Sequence, residues 1–342
     1  MRTGKDRPAY SRYAALGALL GAVAFGTAAD AGHLWQTFVV SGSINTTPIA
    51  IAGHNLIVGT YSGGDGVIHG FLRASDGAIT PFDDPDATSG TTPTSANRSG
   101  DITGSFVGSG GHLGFLRKAD GAFTAFQYAS TSTYPQMINA RGAIVGFSQA
   151  GSTGFAAFLR KPDGTFISIL PGTNAAAVAI NKAGEIAGYT VDLPMHGFVR
   201  ARNGQTTQFD PPNSFITNAV SINDGGAITG ISLDTNGIIH GFVREPDGTI
   251  ALFDAPGGGT SAMATRPRGI DNDGNIVGCV TDDHAVSDGF VREPSGTMHV
   301  IDAPGAAASC ITAISTAGKL IGQATVGAAK QGFLTLPRVW RN

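Results

Sequence analysis

The chain has 342 residues, 42% of them apolar and 14% charged, with 50 glycines and a formal net charge of −3. That apolar content allows a sizeable core, and glycines at fixed places between apolar runs point to short strands and tight turns rather than disorder. No Lys/Arg run follows the first dozen residues, which removes the electrostatic footprint of a nucleic-acid binder.

Residues 1–31 read as a signal peptide. Arg2, Lys5, Arg7 and Arg12 make a positive start, Tyr13 to Ala29 is apolar, and Ala29-Asp30-Ala31 places small residues for cleavage before Gly32. The apolar run is short for a membrane span, and no second long run follows. No Cys stands close behind it to carry a lipid anchor. The expected location is the periplasm or the outside of the cell, with no span left after cleavage and residues 32–342 as a single domain.

The mature part opens on a lone predicted strand, Gln36 to Val40, and then settles into a repeat. Its marker is Gly-Phe-(Leu/Val)-Arg, at Gly70–Arg73, Gly114–Arg117, Gly197–Arg200, Gly241–Arg244 and Gly289–Arg292, with variants at Ala157–Arg160 and Gly332–Thr335. A period of 40 to 48 residues signals a repeat architecture. Each marker is the third strand of a four-strand unit. Before it stands a hairpin, at Ile51–Thr60, Ala96–Val107, Ile138–Phe147, Ile180–Tyr189, Ile222–Ile231, Ile270–Val280 and Ile314–Ala324. After it comes a Pro-Asp-Gly type turn and a fourth strand, except at the last marker, which has no room for one. The lone strand at the front supplies the missing piece. The expected fold is therefore all-β: a seven-bladed β-propeller in which an N-terminal strand joins the three C-terminal strands and so closes the ring.

The His/Asp-Gly-Phe-(Leu/Val)-Arg strand, the Pro-Asp-Gly-Thr turn, the Phe-Asp-x-Pro strand end and the Ile-Asn-(x)-x-Gly-x-Ile-x-Gly hairpin together resemble the HAF-type extracellular repeat of bacterial proteins. His69, His196 and His240 take the first position of that strand, with Gly where the family pattern has Ala. The resemblance covers essentially Gln36 to Leu336. It implies export and repeated β-units, and it carries no catalytic residues over.

Residues present in nearly every unit read as structural. Arg73, Arg117, Arg160, Arg200, Arg244 and Arg292 are expected to pair with a carboxylate or turn carbonyl of their own unit. Asp84, Asp210, Asp254 and Asp302 are expected to form turns where the fourth strand ends. Asp271-Asn272-Asp273-Gly274-Asn275 looks like the start of a calcium loop but lacks the distal Glu. No His-x-His or Cys-x-x-Cys spacing, phosphate loop, dinucleotide fingerprint or Gly-x-Ser-x-Gly elbow is present, so neither metal nor cofactor is expected.

Function then belongs where the units differ: the long, variable loops at one end and the residues beginning each first strand. Four residues before each Ile-Asn pair stand Thr47, Thr92, Tyr134, Ala176, Asn218, Arg266 and Cys310. Two residues before it stand Ile49, Thr94, Gln136, Val178, Val220, Arg268 and Thr312. The spacing of two puts both rows on one strand face. Tyr134, Gln136, Asn218, Arg266 and Arg268 make this channel mouth polar, with a paired cation suited to a carboxylate, phosphate or acidic sugar. Ordinary solvated loop residues are the competing account. Cys279 and Cys310 fall on adjacent units at similar height, where a disulfide can form if their Cα atoms lie within about 7 Å.

The first functional reading is an exported binding or interaction protein whose partner is an extracellular glycan, an anionic small molecule or another protein. The alternative is a polysaccharide hydrolase or lyase acting on an acidic saccharide, with Arg266 and Arg268 on the carboxylate and Tyr134 as acid or base. Tyr134 has no His or carboxylate in the same two rows, which favours binding; Asp282, Asp283 and His284 on a neighbouring loop keep catalysis open. A purely structural surface protein is the third reading.

Overall fold

A computed structural model of the chain describes residues 34–151, 154–258 and 264–341. The expected signal peptide lies outside the described residues. Twenty-eight strands run through the rest. A first short strand, β1 (Trp35–Phe38), precedes the repeat. The first unit is β2 (Asn45–Ile51), β3 (Ile57–Ser62), β4 (Ile68–Arg73) and β5 (Ile79–Phe82). The second is β6 (Thr91–Ala96), β7 (Ile102–Gly108), β8 (Gly111–Arg117) and β9 (Phe123–Phe126). The third is β10 (Ser132–Ile138), β11 (Ile144–Ala150), β12 (Gly154–Arg160) and β13 (Phe166–Ile169). The fourth is β14 (Ala175–Ile180), β15 (Ile186–Thr190), β16 (Gly197–Arg200) and β17 (Thr206–Phe209). The fifth is β18 (Ser214–Ile222), β19 (Ile228–Asp234), β20 (Ile239–Arg244) and β21 (Ile250–Phe253). The sixth is β22 (Thr265–Ile270), β23 (Ile276–Thr281), β24 (Ser287–Arg292) and β25 (Met298–Ile301). The last is β26 (Ala308–Ile314), β27 (Leu320–Val326) and β28 (Ala329–Thr335).

The second to sixth units are separate four-stranded antiparallel sheets in sequence order. The remaining eight strands count as one sheet only through a single parallel bridge, Asn45 opposite Lys330. On β28, the side away from β27 is taken by β1, antiparallel, with Thr37 opposite Phe333 and Phe38 opposite Gly332. Each first strand packs beside the first strands of its neighbours, β2 lying against both β6 and β26.

The repeat motif explains the core. The marker phenylalanines Phe71, Phe115, Phe158, Phe198, Phe242, Phe290 and Phe333 are all fully buried. Burying each contributes roughly 1.5–3 kcal/mol. Every such ring lies over a glycine of the second strand. At Gly230, a Cβ would stand 2.8 Å from the Phe242 ring and 2.0 Å from the Asn218 carbonyl oxygen, so only glycine lets the first strand and the ring approach together. The core sits between sheets rather than within one. One cluster, for example, joins Ala179, Ala187 and Phe209 of the fourth unit to Ala219, Ile228 and Phe242 of the fifth.

Five of the marker arginines meet the turn carbonyl expected of them and make a second contact as well. Arg73, Arg117, Arg160, Arg244 and Arg292 each donate from Nη1 to the carbonyl of the next residue, at 3.2–3.5 Å. Their charge, however, rests on a ring of the preceding sheet. Arg73 lies over Phe38, Arg117 over Phe82, Arg160 over Phe126, Arg244 over Phe209 and Arg292 over Phe253, at 4.8–5.2 Å. They join neighbouring units by cation–π contact. Burial lowers all five pKa values from the ordinary arginine value.

Candidate functional site

All seven first strands carry a one-residue register shift at the same height. It falls between Pro48 and Ala50, Pro93 and Ser95, Pro135 and Met137, Ala177 and Ala179, Ala219 and Ser221, Pro267 and Gly269, and Ile311 and Ala313. The skipped residues are Ile49, Thr94, Gln136, Val178, Val220, Arg268 and Thr312, one of the two rows singled out in the sequence. A bulge leaves its extra residue outside the ladder and re-aims its side chain. The residue just before each bulge is buried, whereas those two before it are mostly half-buried and the bulged residues half-buried or, for Arg268, exposed. Two bulged threonines reach the next first strand: Thr94 Oγ1 donates to the Pro135 carbonyl (3.0 Å) and Thr312 Oγ1 to the Pro48 carbonyl (2.8 Å).

The five predicted residues fall into two groups. Asn218 on β18 and Arg266 and Arg268 on β22 stand on neighbouring first strands. Tyr134 and Gln136 share β10, with β14 between the groups. Arg268 is accessible by area, yet enough protein surrounds it that desolvation lowers its pKa, and the nearby Arg266 cation lowers it further. No carboxylate among the described residues offsets this. Asn218 Oδ1 is buried with no hydrogen-bond partner among the described residues. Gln136 Nε2 reaches back to the Tyr134 carbonyl at 3.5 Å. Cys279 stands opposite Arg266, and a disulfide joins it to Cys310, with 5.0 Å between Cα atoms.

Tyr134 has a neighbour that its own rows do not reveal. Its ring stacks on Phe147 (5.2 Å) and meets His112 of the preceding unit at 5.0 Å. His112 begins a third strand, so it lies far from Tyr134 in the alignment of first strands and near it only once adjacent sheets pack. The loop that carries Asp282 and His284 is a turn: Asp282 Oδ1 accepts the His284 and Val286 backbone N–H groups, and the His284 side chain is 85% exposed.

A second arrangement on this loop face is a set of His–Asp pairs. His69 Nδ1 meets Asp83 at 2.7 Å, His196 Nδ1 meets Asp210 at 2.6 Å, and His240 Nδ1 meets Asp254 at 2.9 Å. Asp210 also accepts the Thr217 hydroxyl at 2.6 Å. Asp210 and Asp254 are therefore latches between third and fourth strands rather than simple turn formers. The equivalent residue in the first unit is Asp83. Asp84 is a buried turn carboxyl that accepts the Asp86 N–H, and burial raises its pKa. The constant spacing of 14 residues between each His and its Asp is the sequence signal for these pairs.

At the other end of the first strands lies a cavity of about 740 Å³. Its wall takes the last residue of every first strand: Ile51, Ala96, Ile138, Ile180, Ile222, Ile270 and Ile314. None of the five predicted residues lines it.

No family model matches the chain, and no curated protein sequence is similar to it. Solved structures are similar in shape. A streptogramin B lyase superposes with a TM-score of 0.61 at 16% identity, over 88% of this chain and 97% of that one. Virginiamycin B lyase from Staphylococcus aureus superposes with a TM-score of 0.59 at 13% identity, over 88% and 99%. A puromycin hydrolase mutant gives 0.57 at 13% identity, over 84% of this chain and 50% of that one. At such identities the likeness concerns the fold alone: the chain shares its all-β architecture with β-propeller proteins.

Proposed function

We propose that the chain is an exported, HAF-type repeat protein folded as a closed seven-bladed β-propeller, and that it binds an anionic ligand at the loop-face mouth of its axial channel. The blade count follows from taking β26–β28 with β1 as the seventh sheet. Two contacts between the ends of the repeat support closure: Thr312 to the Pro48 carbonyl, and Thr47 Oγ1 to Gln323 Oε1 at 3.1 Å. Residues 1–31 serve as the signal peptide.

The observation that carries the ligand reading is the Arg266–Arg268 pair. Desolvation and the neighbouring Arg266 cation disfavour the charged form of Arg268, which a bulge re-aims, so the charge there is repelled. An oxyanion between them relieves that repulsion and accepts charge-assisted hydrogen bonds. The Asn218 amide on the next strand extends the polar wall. Ligands of matching chemistry are an acidic glycan, an anionic small molecule or an acidic protein segment.

Catalysis on an acidic saccharide is the second reading, and the His112–Tyr134 contact favours it by giving Tyr134 a basic neighbour. The related folds include a lyase and a hydrolase, so the architecture accommodates either reading.

Arg266→Ala with Arg268→Ala should abolish binding of the anionic members of a glycan and metabolite panel, with the unfolding midpoint little changed. Unaltered affinity in the double variant would remove the mouth from consideration. Turnover of an acidic polysaccharide that is lost in His112→Ala and Tyr134→Phe would favour the enzyme.

A further inference from the structure

The cavity at the turn-face end holds a break in a repeated pattern. Asn97 donates from Nδ2 to the Asn139 carbonyl (3.3 Å), Asn139 to Asn181 (3.1 Å), Asn181 to Asn223 (3.1 Å), and Asn223 to Asp271 (3.0 Å). Each of these asparagines directly follows the last residue of a first strand, so the amides tie neighbouring units around the cavity. There the chain stops. Asp271 has no amide to give, and the equivalent residues of the next two units are Ser315 and Ala52. Three consecutive junctions, from β22 through β26 and β2 to β6, lack the tie.

The wall changes over the same arc. Ile138, Ile180, Ile222 and Ile270 are buried, whereas Ile314, Ile51 and Ala96 remain partly exposed to the cavity. The turn changes as well. In the first unit the hairpin turn is a 3₁₀ turn, Gly53–Asn55, in which His54 (φ 58°) and Asn55 (φ 56°) both adopt the left-handed region. Two successive non-glycine residues there cost free energy that the surroundings must offset. Arg98 of the next unit lies across this turn: a Cβ on Gly53 would stand 2.7 Å from Arg98 Cγ. His54, Asn55 and Arg98 thus border the break, beside its exposed aliphatic wall.

We infer that this break is a second binding site, for a small organic acid with an apolar body: the body rests on Ile51, Ala96 and Ile314, and the carboxylate takes Arg98 with His54 and Asn55 beside it. The cavity volume lies within the range of small-molecule sites. Lys182 and Asp224 also line the cavity, away from the break. Asp224, elsewhere on the rim, is fixed by the Lys182 N–H (2.9 Å) and by Asn272 Nδ2 (3.0 Å), and it disfavours an acid near itself.

Octanoate serves as the probe, with octanamide as the uncharged control and sulfate as the anion without an apolar body. Calorimetric titration of the protein should show saturable octanoate binding that exceeds both controls. Arg98→Gln should weaken it about tenfold or more, the scale of one lost charged hydrogen bond. Ala52→Asn places at the break a residue that four other units carry at this position, so the fold should tolerate it. The new side chain should occupy the gap and remove octanoate binding. Arg268→Gln, at the opposite mouth, should leave the Arg98-dependent component of octanoate binding in place, which separates this site from the one proposed above. No saturable binding, equal binding of octanamide, or binding that survives Arg98→Gln and Ala52→Asn would overturn the inference. So would loss of the Arg98-dependent component in Arg268→Gln.

Discussion

Asp271 shows how one exchanged residue alters a repeated device. In the second and fourth units an asparagine faces an acid four residues on: Asn97 with Asp101 (3.4 Å) and Asn181 with Glu185 (2.7 Å). In the sixth unit the pair is reversed. Asp271 Oδ2 accepts Asn275 Nδ2 at 2.9 Å, and Asn275 Oδ1 is left buried without a partner among the described residues. Burial raises the Asp271 pKa above the ordinary carboxylate value, outweighing the hydrogen bonds from Asn275. A group raised in the fold binds its proton more tightly there than in the unfolded chain. Its contribution to stability is therefore complete below about pH 4, the ordinary carboxylate value, and is lost as pH rises through the raised one. Asp271→Asn removes this penalty. Urea unfolding should find the variant about 1 kcal/mol more stable at neutral pH. The advantage should vanish as pH falls below the ordinary carboxylate value. A constant difference across the whole pH range would show that charge at Asp271 is not the cause.

At the scale of elements, the junction between the sixth and last units departs from its fellows. Elsewhere an arginine of the third strand mostly lies over a phenylalanine of the preceding fourth strand. Here the two positions are Thr335 and Ile301. The space is filled from the C-terminal tail: Trp340 is fully buried in a cluster with Ile301, Val291 and Phe333. Arg338 pins the same tail by its backbone N–H to Gly318 (2.7 Å) and by its guanidinium to Asp273 (2.5 Å). Trp340→Ala should cost about 3–5 kcal/mol in urea unfolding, as large core truncations do. Trp340→Phe should cost much less, because it keeps most of the apolar volume and removes an indole N–H that is buried without a partner among the described residues. Equal losses in the two variants would mean that the tail, not the ring, is what matters. The contrast explains what a reader of the sequence can find. Strands, turns and sheet-forming units are legible because Gly, Phe and Pro-Asp-Gly recur at fixed offsets, each answering a local steric need. Trp340 is not, since its role depends on an arginine and a phenylalanine missing from two other places. The bulges are not either: a one-residue shift leaves the alternation of side chains within each half of the strand intact. His112 escapes for a third reason, that its contact with Tyr134 exists only between sheets.

For the whole molecule, the question is what holds the first and last units together. β1 contributes four residues to the ladder, and its side chains reach in two directions. Phe38 covers Gly332, where a Cβ would stand 2.7 Å from the ring, and it carries the Arg73 guanidinium at 4.9 Å. Trp35 packs on Phe333 at 5.2 Å. Val40, just beyond, shares a cluster with Ile57 and Phe71 of the first unit and Ile321 and Leu334 of the last. Phe38 thus does for the first unit what Phe82, Phe126, Phe209 and Phe253 do for the units after them. Deleting the chain through Phe38 would strip the Trp35 and Phe38 contacts and open the β28 edge at Gly332–Thr335, a row of unpaired backbone groups suited to pairing with another copy. The truncated protein should lose about 3 kcal/mol or more, the scale of burying two large side chains. It should also form dimers or larger species in size-exclusion chromatography. Lysine placed beside the freed edge at a half-buried position of the same strand, as in Gln331→Lys of the truncated form, should suppress that association without restoring stability. If the truncated protein instead stays monomeric with an unchanged midpoint, the Asn45–Lys330 bridge and the Thr312–Pro48 hydrogen bond suffice to join the two ends, and β1 is dispensable to that junction.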